Sequence, residues 1–431
     1  MSKVQGLGWR IALYNLILHG VSLALLPWVI LQLIFVPRRK AGIKERLGWA
    51  PQDSGNNVWI HAVSVGEVRA VSPMVKLLSE KLTGNCRLLL STVTVTGHGT
   101  ARREIESADR IFYFPLDLLI PVKRALSRIR PSLFVTTETE IWPNFLYTCY
   151  RQRIPVVLVN GRISDRSFTR YRFFRWFFGP FMRIFDVLLM QSEEDARRVI
   201  ALGAPEDRVQ VTGNMKYDIR PKQFALPDAV HDWAKDSFLL VAGSTHRGEE
   251  EVLIDILGEP GLEGSKIVLV PRHPERFDEV ETLLSRRNIS FVRYSALNHP
   301  AGMDSNVMLV DAMGVLDGFY AMADIAFVGG SLVPVGGHNL LEPAMHGKPV
   351  LTGPNMHNFR DVTDILIKGN GCWIVDDSHA LKEAAVRLKQ DEELRMSMGH
   401  ASMNALRGST GASNRNADIV LEILKMKFGE P

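Results

Sequence analysis

Three short polar segments have residue types suited to group transfer, and each follows a run of apolar residues. The first is His61–Glu67 (HAVSVGE), where a predicted strand ends, a glycine permits a tight turn and a helix begins near Glu67. The dipole of a helix start favours an ionised carboxylate, which can act as a general base. Glutamates in this position also cap helices, so capping is the alternative role of Glu67.

The second and third segments add two carboxylates and a cation. In Thr136–Asn144 (TTETEIWPN), strand-like geometry would point Glu138 and Glu140 the same way, where they could hold a substrate hydroxyl or orient a base. The alternative is a capping and packing turn. Thr212–Lys216 (TGNMK) follows another apolar run, and Lys216 could neutralise a departing phosphate unless it is an ordinary surface lysine.

Two segments in the C-terminal half suit phosphate and nucleoside binding. Pro271–Arg276 (PRHPER) follows the run IVLV, and the guanidinium of Arg272 at a strand end is a natural phosphate ligand. Gly329–Pro343 contains a glycine-rich loop whose amides could approach a phosphate at a helix start, and Glu342 could take ribose hydroxyls. The sequence has no P-loop, no D-x-D and no metal-ligand cluster, so we expect neither a bound metal nor a cofactor.

Arginines and aromatic residues are interleaved between Asn160 and Phe185, where Asp165 is the only acid. Arginine suits bidentate phosphate binding and aromatic residues suit a membrane interface, so this segment could lie on a bilayer and grip an anionic lipid head group. RNA binding uses the same chemistry, and a solvated basic helix with an aromatic core face is the structural alternative. The arginines that we expect to contact lipid are Arg162, Arg166, Arg170, Arg172 and Arg175.

A long uncharged segment, Ile11–Val36, lies near the N terminus. As a helix it would be ~39 Å long, more than the ~30 Å hydrocarbon core of a bilayer. No signal-peptidase site follows it; instead come Pro37–Lys40, Lys44 and Arg46, whose positive charge places the body of the protein in the cytoplasm. We predict a membrane anchor that spans the bilayer, or alternatively lies in one leaflet with a kink at Pro27.

The length and composition predict a globular protein of two domains plus this anchor, with 431 residues, 46% hydrophobic and 23% charged. The three cysteines are far apart in the sequence, which argues against a disulfide framework or a zinc site. Short apolar strands alternate with amphipathic helices, which predicts an α/β fold with parallel sheets. The alternation pauses at Tyr217–Trp233, a predicted linker. We therefore predict an anchor and basic flank at 1–46 and α/β domains at 47–218 and 219–431, which enclose a ligand cleft.

These segments together resemble the 3-deoxy-D-manno-octulosonic acid (Kdo) transferases of lipopolysaccharide synthesis. The resemblance covers almost the whole chain and rests on the anchor and on ordered blocks: HAVSVGE, TETEIWPN, NGRISDRS, TGNMKYD, STHRGEEE, VPRHPERF and FVGGSLVPVGGHNLLEPAMHGKPVLTGP. It implies a GT-B fold of two Rossmann-like domains, CMP-Kdo as donor and a tetraacylated lipid A precursor (lipid IVA) as acceptor. It also implies a place on the cytoplasmic face of the bacterial inner membrane and no nucleic-acid partner.

The resemblance also assigns roles to residues. It implies that Glu67 is the general base and that Glu138 and Lys216 support the transition state of an inverting, metal-independent displacement. The positions that match the family's CMP site are Pro271, Arg272, Met313, Gly314, Asn339, Leu340, Leu341 and Glu342. Val315 occupies a CMP-site position that is usually acidic in the family. The alternatives are a nucleotide-sugar epimerase of the same fold and a non-catalytic membrane protein that binds nucleotide or anionic lipid.

Overall fold

The chain folds into two compact units. The structure is a computed structural model that describes residues 6–36, 40–53, 56–82, 86–219, 224–297, 304–407 and 410–428. The first unit comprises residues 1–219 and 409–431, and the second comprises residues 220–408. Fourteen strands are present in the described residues: β1 (Asn57–His61), β2 (Arg87–Thr92), β3 (Arg110–Tyr113), β4 (Leu133–Thr137), β5 (Val156–Gly161), β6 (Val187–Met190), β7 (Val209–Val211), β8 (Leu239–Thr245), β9 (Lys266–Pro271), β10 (Phe291–Arg293), β11 (Val307–Leu309), β12 (Ile325–Val328), β13 (Val350–Thr352) and β14 (Cys372–Ile374).

The strands are connected and covered by helices. In the described residues these are α1 (Leu7–Phe35), α2 (Ile43–Arg46), α3 (Val65–Lys81), α4 (Val95–Glu104), α5 (Leu119–Ile129), α6 (Pro143–Gln152), α7 (Asp165–Phe173), α8 (Arg175–Met182), α9 (Glu193–Leu202), α10 (Asp228–Ala234), α11 (Glu249–Asp255), α12 (Phe277–Arg286), α13 (Leu316–Met322), α14 (Leu341–Met345), α15 (Arg360–Lys368), α16 (Ser378–Gln390), α17 (Glu392–Arg407) and α18 (Ala412–Phe428).

The first unit contains a parallel sheet in the order β3–β2–β1–β4–β5–β6–β7. The chain progresses outwards in opposite directions from β1 and β4, which lie side by side with His61 opposite Thr136. Such a switch point opens a crevice at the carboxyl ends of the two strands, which is where open α/β sheets bind ligands. The strand β3 was not predicted, because it is a short edge strand whose first residue, Arg110, is exposed.

The second unit contains a parallel sheet in the order β10–β11–β9–β8–β12–β13–β14, with its switch point between β8 and β12. Two such sheets confirm the predicted α/β fold with two Rossmann-like domains. The predicted linker is wrong in part, since α10 lies within it and buries Val230 and Trp233 in the second core. A seven-residue helix is too short to show helical periodicity in the sequence. Pro221 of that linker lies outside the described residues.

The C-terminal helix α18 was predicted in the second domain but packs on the first. Its apolar face, including Val420 and Leu424, shares a core with Val71 and Met74 of α3. The carboxylate of Asp218 accepts hydrogen bonds from the amides of Gly411 and Ser413 near the start of α18, both at 2.5 Å. The predicted second domain therefore ends about twenty residues too late at its C-terminal side.

The N-terminal helix α1 is continuous through Pro27. It includes a segment, Leu7–Trp28, that is long and apolar enough to cross a membrane. Its first turns are docked on the first unit: Leu7 and Ile11 are in the core, and the side-chain amides of Asn15 and Asn144 exchange two hydrogen bonds of 2.8 and 2.9 Å. Most of the remaining side chains described in α1 are exposed. The predicted basic residues Arg38 and Arg39 lie outside the described residues.

Candidate active site

Glu67 lies at the switch point of the first sheet. It is in the first turn of α3, directly after β1, and is only 6% exposed. One carboxylate oxygen accepts hydrogen bonds from the amide of Val63 (2.9 Å) and the hydroxyl of Thr137 (2.7 Å), and the other accepts one from the hydroxyl of Ser64 (2.9 Å). The bond from Val63 resembles a helix cap, whereas the bond from Thr137 ties the carboxylate to the end of β4. This geometry is therefore compatible with both roles of Glu67, helix capping and catalysis.

Burial raises the pKa of Glu67 above its usual value, and the hydrogen bonds from Val63 and Thr137 oppose that shift. Repulsion from Glu138 raises the pKa further. The sequence led us to expect that the dipole at the helix start favours the ionised form, and in the folded protein desolvation acts in the opposite direction. A carboxylate with a raised pKa accepts a proton more readily, which suits a general base.

Glu138 and Lys216 form an ion pair beside Glu67. The ammonium nitrogen of Lys216 lies 2.9 Å from a carboxylate oxygen of Glu138, and both side chains are partly buried. Lys216 follows β7, in a turn whose Met215 amide donates a 2.9 Å hydrogen bond to the buried side chain of Asn160. The two residues are 78 positions apart in sequence, and the fold brings them together. Lys216, predicted to face a phosphate, neutralises Glu138 in this structure.

Glu140 is a third carboxylate in the same region. The strand-like geometry that we predicted for Glu138 and Glu140 is wrong, because β4 ends at Thr137 and Glu138 adopts a left-handed backbone with φ of 54°. Burial, together with repulsion from Glu67 and Glu138, raises the pKa of Glu140 to about 7. Three carboxylates therefore share this edge of the sheet, and the protonation of Glu140 changes near neutral pH.

We expect Glu140→Gln to change the pH dependence of stability. Because the pKa of Glu140 is about 7 in the folded state, above its ordinary value of 4.5, the folded protein keeps this proton between these pH values, where the unfolded chain releases it. Glu140 therefore destabilises the wild type progressively as the pH rises from about 4.5 to about 7. The Glu140→Gln variant does not lose stability in this way. The difference in the free energy of unfolding, variant minus wild type, should therefore be larger at pH 8 than at pH 4.5 by on the order of 1–3 kcal/mol. Urea unfolding of both proteins at the two pH values measures this difference; equal pH dependence would contradict the assigned pKa.

The predicted nucleotide residues follow three strands of the second sheet. Arg272 is exposed directly after β9, and Met313 is 60% exposed in the loop after β11. In the loop after β12, the side-chain amide of Asn339 donates a 3.2 Å hydrogen bond to Glu342. All three loops leave the carboxyl edge of one parallel sheet, so the fold gathers these residues on one edge.

Some predicted nucleotide positions are buried. Val315, Leu340 and Leu341 have side chains that are at most 6% exposed. Val315 belongs to the second core, where it packs with Phe319. An unpaired acidic side chain would be destabilising in that apolar core. The burial of this position therefore agrees with the presence of valine, where the family usually has an acidic residue.

The glycine-rich loop does not offer its first amides to a ligand. The fully buried carboxylate of Glu249, at the start of α11, accepts hydrogen bonds from the amides of Gly330 (2.7 Å), Ser331 (2.9 Å) and Leu332 (3.0 Å). The same carboxylate accepts a bond from the amide of His246 (2.9 Å). Our prediction that these amides bind phosphate is therefore wrong: an internal carboxylate already occupies them. The only hint in the sequence was the acidic run in STHRGEEE.

The five arginines predicted to contact lipid are all exposed on or beside α7 and α8. The aromatic residues between them divide into two groups: Phe181 and Phe185 are in the core, whereas Phe173 and Trp176 are 77% and 50% exposed. The indoles of Trp176 and Trp9 of α1 stack with ring centroids 5.9 Å apart. The basic segment and the apolar helix α1 therefore form one continuous surface of the first unit.

Comparisons with known proteins identify the family of this chain and support its fold. A sequence profile of the family described as 3-Deoxy-D-manno-octulosonic-acid transferase (kdotransferase) matches residues 41–219. The chain is 33% identical to a 3-deoxy-D-manno-octulosonic acid transferase of Haemophilus influenzae, over 97% of this chain and 99% of that protein. It is 31% identical to one of Bordetella pertussis, over 89% and 91% of the two chains. The fold is similar to the crystal structure of a UDP-N-acetylglucosamine 2-epimerase homologue from Listeria monocytogenes, with a TM-score of 0.60, 13% identity and coverage of 88% and 99%.

Proposed function

Because the chain belongs to the family of 3-deoxy-D-manno-octulosonic acid transferases, we propose that it moves Kdo from CMP-Kdo to lipid IVA, with Glu67 as the general base. The observation that supports this mechanism is the environment of Glu67: a buried carboxylate with a raised pKa, held by neutral donors at the switch point of the first sheet. Such a group can remove a proton from a sugar hydroxyl of the acceptor.

In the proposed reaction, the deprotonated hydroxyl oxygen attacks the anomeric carbon of Kdo. The bond from that carbon to the phosphate oxygen breaks, the electron pair leaves with CMP, and the acceptor proton stays on Glu67. One direct displacement inverts the anomeric configuration and requires no metal. Lys216, positioned by its 2.9 Å contact with Glu138, supports charge in the transition state.

CMP is held by the second unit in this proposal. Arg272 is exposed beyond β9 and is available for the phosphate, while Glu342 is held by Asn339 in the first turn of α14, where it can accept bonds from ribose hydroxyls. Met313 and Gly314, exposed after β11, contribute surface and backbone groups. The arginines of α7 and α8 would bind the phosphates of the lipid acceptor.

We further propose that α1 lies along the cytoplasmic leaflet of the inner membrane rather than across it. Leu7 and Ile11 at one end of the helix are in the core of the first unit. From Phe35 at the other end, the five residues to Lys40 can span at most about 18 Å, and Arg46 shortly beyond donates a 2.5 Å hydrogen bond to the carbonyl of Val93 in the same unit. Both ends are therefore tied to one side of a ~30 Å hydrocarbon layer.

This orientation predicts the labelling of an introduced cysteine. Gly8→Cys, at the exposed start of α1, should react with a membrane-impermeant maleimide from the same side of the membrane as Glu80→Cys on the body of the first unit. The measurement compares spheroplasts with inside-out vesicles, in a Cys86→Ser background because Cys86 is partly exposed. Labelling of the two positions from opposite sides would show that α1 spans the bilayer.

The transferase proposal is tested by offering purified protein two donors side by side. With lipid IVA as acceptor, we expect CMP-Kdo to give a lipid whose mass increases by one or more Kdo units, and UDP-N-acetylglucosamine to give neither transfer nor epimerisation. Epimerised UDP-sugar would favour an enzyme of the same fold but a different reaction. Binding of CMP-Kdo without any product would favour the non-catalytic alternative.

A further inference from the structure

A pair of histidines lies at the switch point of the second sheet. His246 follows β8 directly, and His338 is in the loop after β12, the strand that neighbours β8. Their imidazole rings are stacked, with centroids 5.1 Å apart and planes 7° from parallel, and their Nε2 atoms are 2.8 Å apart. Neither histidine has a role in the mechanism proposed above. The pair nevertheless lies at the switch point, where such sheets bind ligands.

Neighbouring residues leave room for the two imidazole rings and fix their position. Gly330 has a positive φ of 67°, and a Cβ there would approach the rings of His338 and His246 to 3.0 and 3.3 Å, so glycine leaves room for both imidazoles. The amide of His246 is fixed by the buried carboxylate of Glu249. The fold thus holds both imidazoles in place, with each ring half-buried.

A hydrogen bond between two facing Nε2 atoms limits how many protons the pair can hold. One Nε2 must donate and the other accept, so the pair can be neutral or can carry one additional proton. A second additional proton would place two N–H groups against each other. The histidine pair can therefore gain one positive charge without losing this hydrogen bond.

The groups around the pair favour its neutral form. Burial, together with repulsion from His246, Arg272 and His273, lowers the pKa of His338 to about 4. Burial also lowers the pKa of His246; Glu249 opposes that shift, whereas His273, Arg276 and Arg272 add to it. Two of these charged neighbours are already engaged: Glu249 binds four amides, and Arg276 contacts Glu250 at 2.6 Å. Arg272 and His273 are exposed beside the pair.

An anion bound among these groups would favour the protonated form of the histidine pair over the neutral form. Its negative charge stabilises a protonated imidazole and offsets the repulsion from the nearby cations. Metal binding is a weaker alternative, because no group of three or more His, Cys, Asp or Glu residues in the described part of the chain is arranged to hold a metal ion. The cluster is therefore suited to an oxyanion with at least two negative charges.

We propose that His246, His338 and Arg272 form the phosphate subsite for the departing cytidylate, and that the histidine pair takes up one proton from solvent when a phosphate monoester dianion binds. This inference rests on the proposed function. In CMP-Kdo the phosphate is a diester with one negative charge, and after the anomeric carbon–oxygen bond breaks it becomes a monoester that can carry two. The gained proton balances the added charge, so the subsite matches the leaving group better than the intact donor.

The test is calorimetric titration of the purified protein with CMP at pH 7.5, in two buffers of different ionisation enthalpy. Free CMP is already a dianion at this pH, since the second phosphate pKa is about 6. We expect uptake of about one proton per bound CMP and none with cytidine, which lacks the phosphate. Affinity for CMP should fall as the pH rises from 7.5 to 9, because the bound state loses its extra proton.

Substitutions test whether the histidine pair holds the proton that is taken up with CMP. His338→Gln should still bind CMP, more weakly by about tenfold, and should lose the proton uptake, whereas His400→Gln on the exposed face of α17 should behave as the wild type. CMP binding by the wild type without proton uptake would overturn the proposal, whether or not a variant folds. Uptake with CMP-Kdo but not with CMP would assign the site to the sugar carboxylate and overturn the phosphate assignment. Failure of every cytidine nucleotide to bind would instead contradict the proposed function, and titration with inorganic phosphate would then test the histidine pair alone.

Discussion

Glu67→Gln is expected to lower the rate of Kdo transfer by about 10²–10⁴-fold, the usual contribution of a general base. Glutamine keeps the shape of the side chain and can still hydrogen-bond Thr137 and Ser64, but it cannot accept the acceptor proton. CMP affinity should stay unchanged, because the residues proposed to bind the nucleotide belong to the other unit. The measurement is transfer from CMP-Kdo to lipid IVA, combined with a binding titration of CMP.

The matched control is Glu80→Gln, the same change on the exposed face of the same helix α3. It should retain wild-type transfer. Near-wild-type activity of the Glu67 variant would remove the general base from the mechanism. A loss of activity accompanied by unfolding would assign Glu67 to helix capping instead, whereas a comparable loss in the control would show that the effect is not specific to Glu67.

Glu138→Gly is expected to lower transfer by about 10²–10³-fold with little loss of stability. The left-handed backbone at Glu138 costs a side-chain-bearing residue on the order of 1 kcal/mol, and glycine relieves this strain. The relief offsets the greater freedom of glycine in the unfolded chain and the loss of the partly exposed ion pair with Lys216. The free energy of unfolding should therefore change by less than about 1 kcal/mol. Parallel transfer assays and urea titrations measure both quantities.

Arg153→Gly provides the control for the backbone change. Arg153 also has a positive φ, of 61°, but is exposed at the end of α6, so its variant should keep full activity. Glu138→Gln and Lys216→Met should each reduce transfer, and the double variant should lose less than the product of the two effects, since the pair acts as a unit. Independent, multiplicative losses would show that the 2.9 Å contact is not functional.

The sequence predicts the parts of this site that depend on local pattern. Glu67 follows an apolar run and starts a helix, and the strand–helix alternation alone is enough to place it at the carboxyl edge of a parallel sheet. Long-range contacts are different. The ion pair of Glu138 with Lys216 requires β4 and β7 to belong to one sheet, and nothing local to either segment specifies that.

The glycine-rich loop shows how a correct motif can be interpreted wrongly. Its glycines and the following helix predicted free amides, yet Glu249 of α11 binds three of them. A buried carboxylate that satisfies several amides leaves no mark in the loop itself, because the acid comes from a segment about 80 residues earlier. The histidine pair has the same origin, since only the adjacency of β8 and β12 brings His246 to His338.

The local sequence pattern also could not predict which domain α18 packs against. Its apolar face predicts a packed helix but not its partner, and sequence order suggests the nearer, second domain. The first unit gains α18 because α3 presents a complementary apolar face and Asp218 binds the amides at its start. The missed strand β3 has a simpler cause: an edge strand of four residues with a charged first residue gives no continuous apolar run.

A single-turnover experiment tests most directly whether Kdo passes from bound CMP-Kdo to the acceptor. Wild-type protein is loaded with CMP-Kdo labelled in the sugar, then mixed with lipid IVA and an excess of unlabelled donor. We predict that labelled Kdo appears in the lipid during the first turnover and that CMP is released in equal amount. Label recovered as free Kdo, or unchanged donor displaced by the excess, would contradict direct transfer from a bound cytidylate sugar to the acceptor.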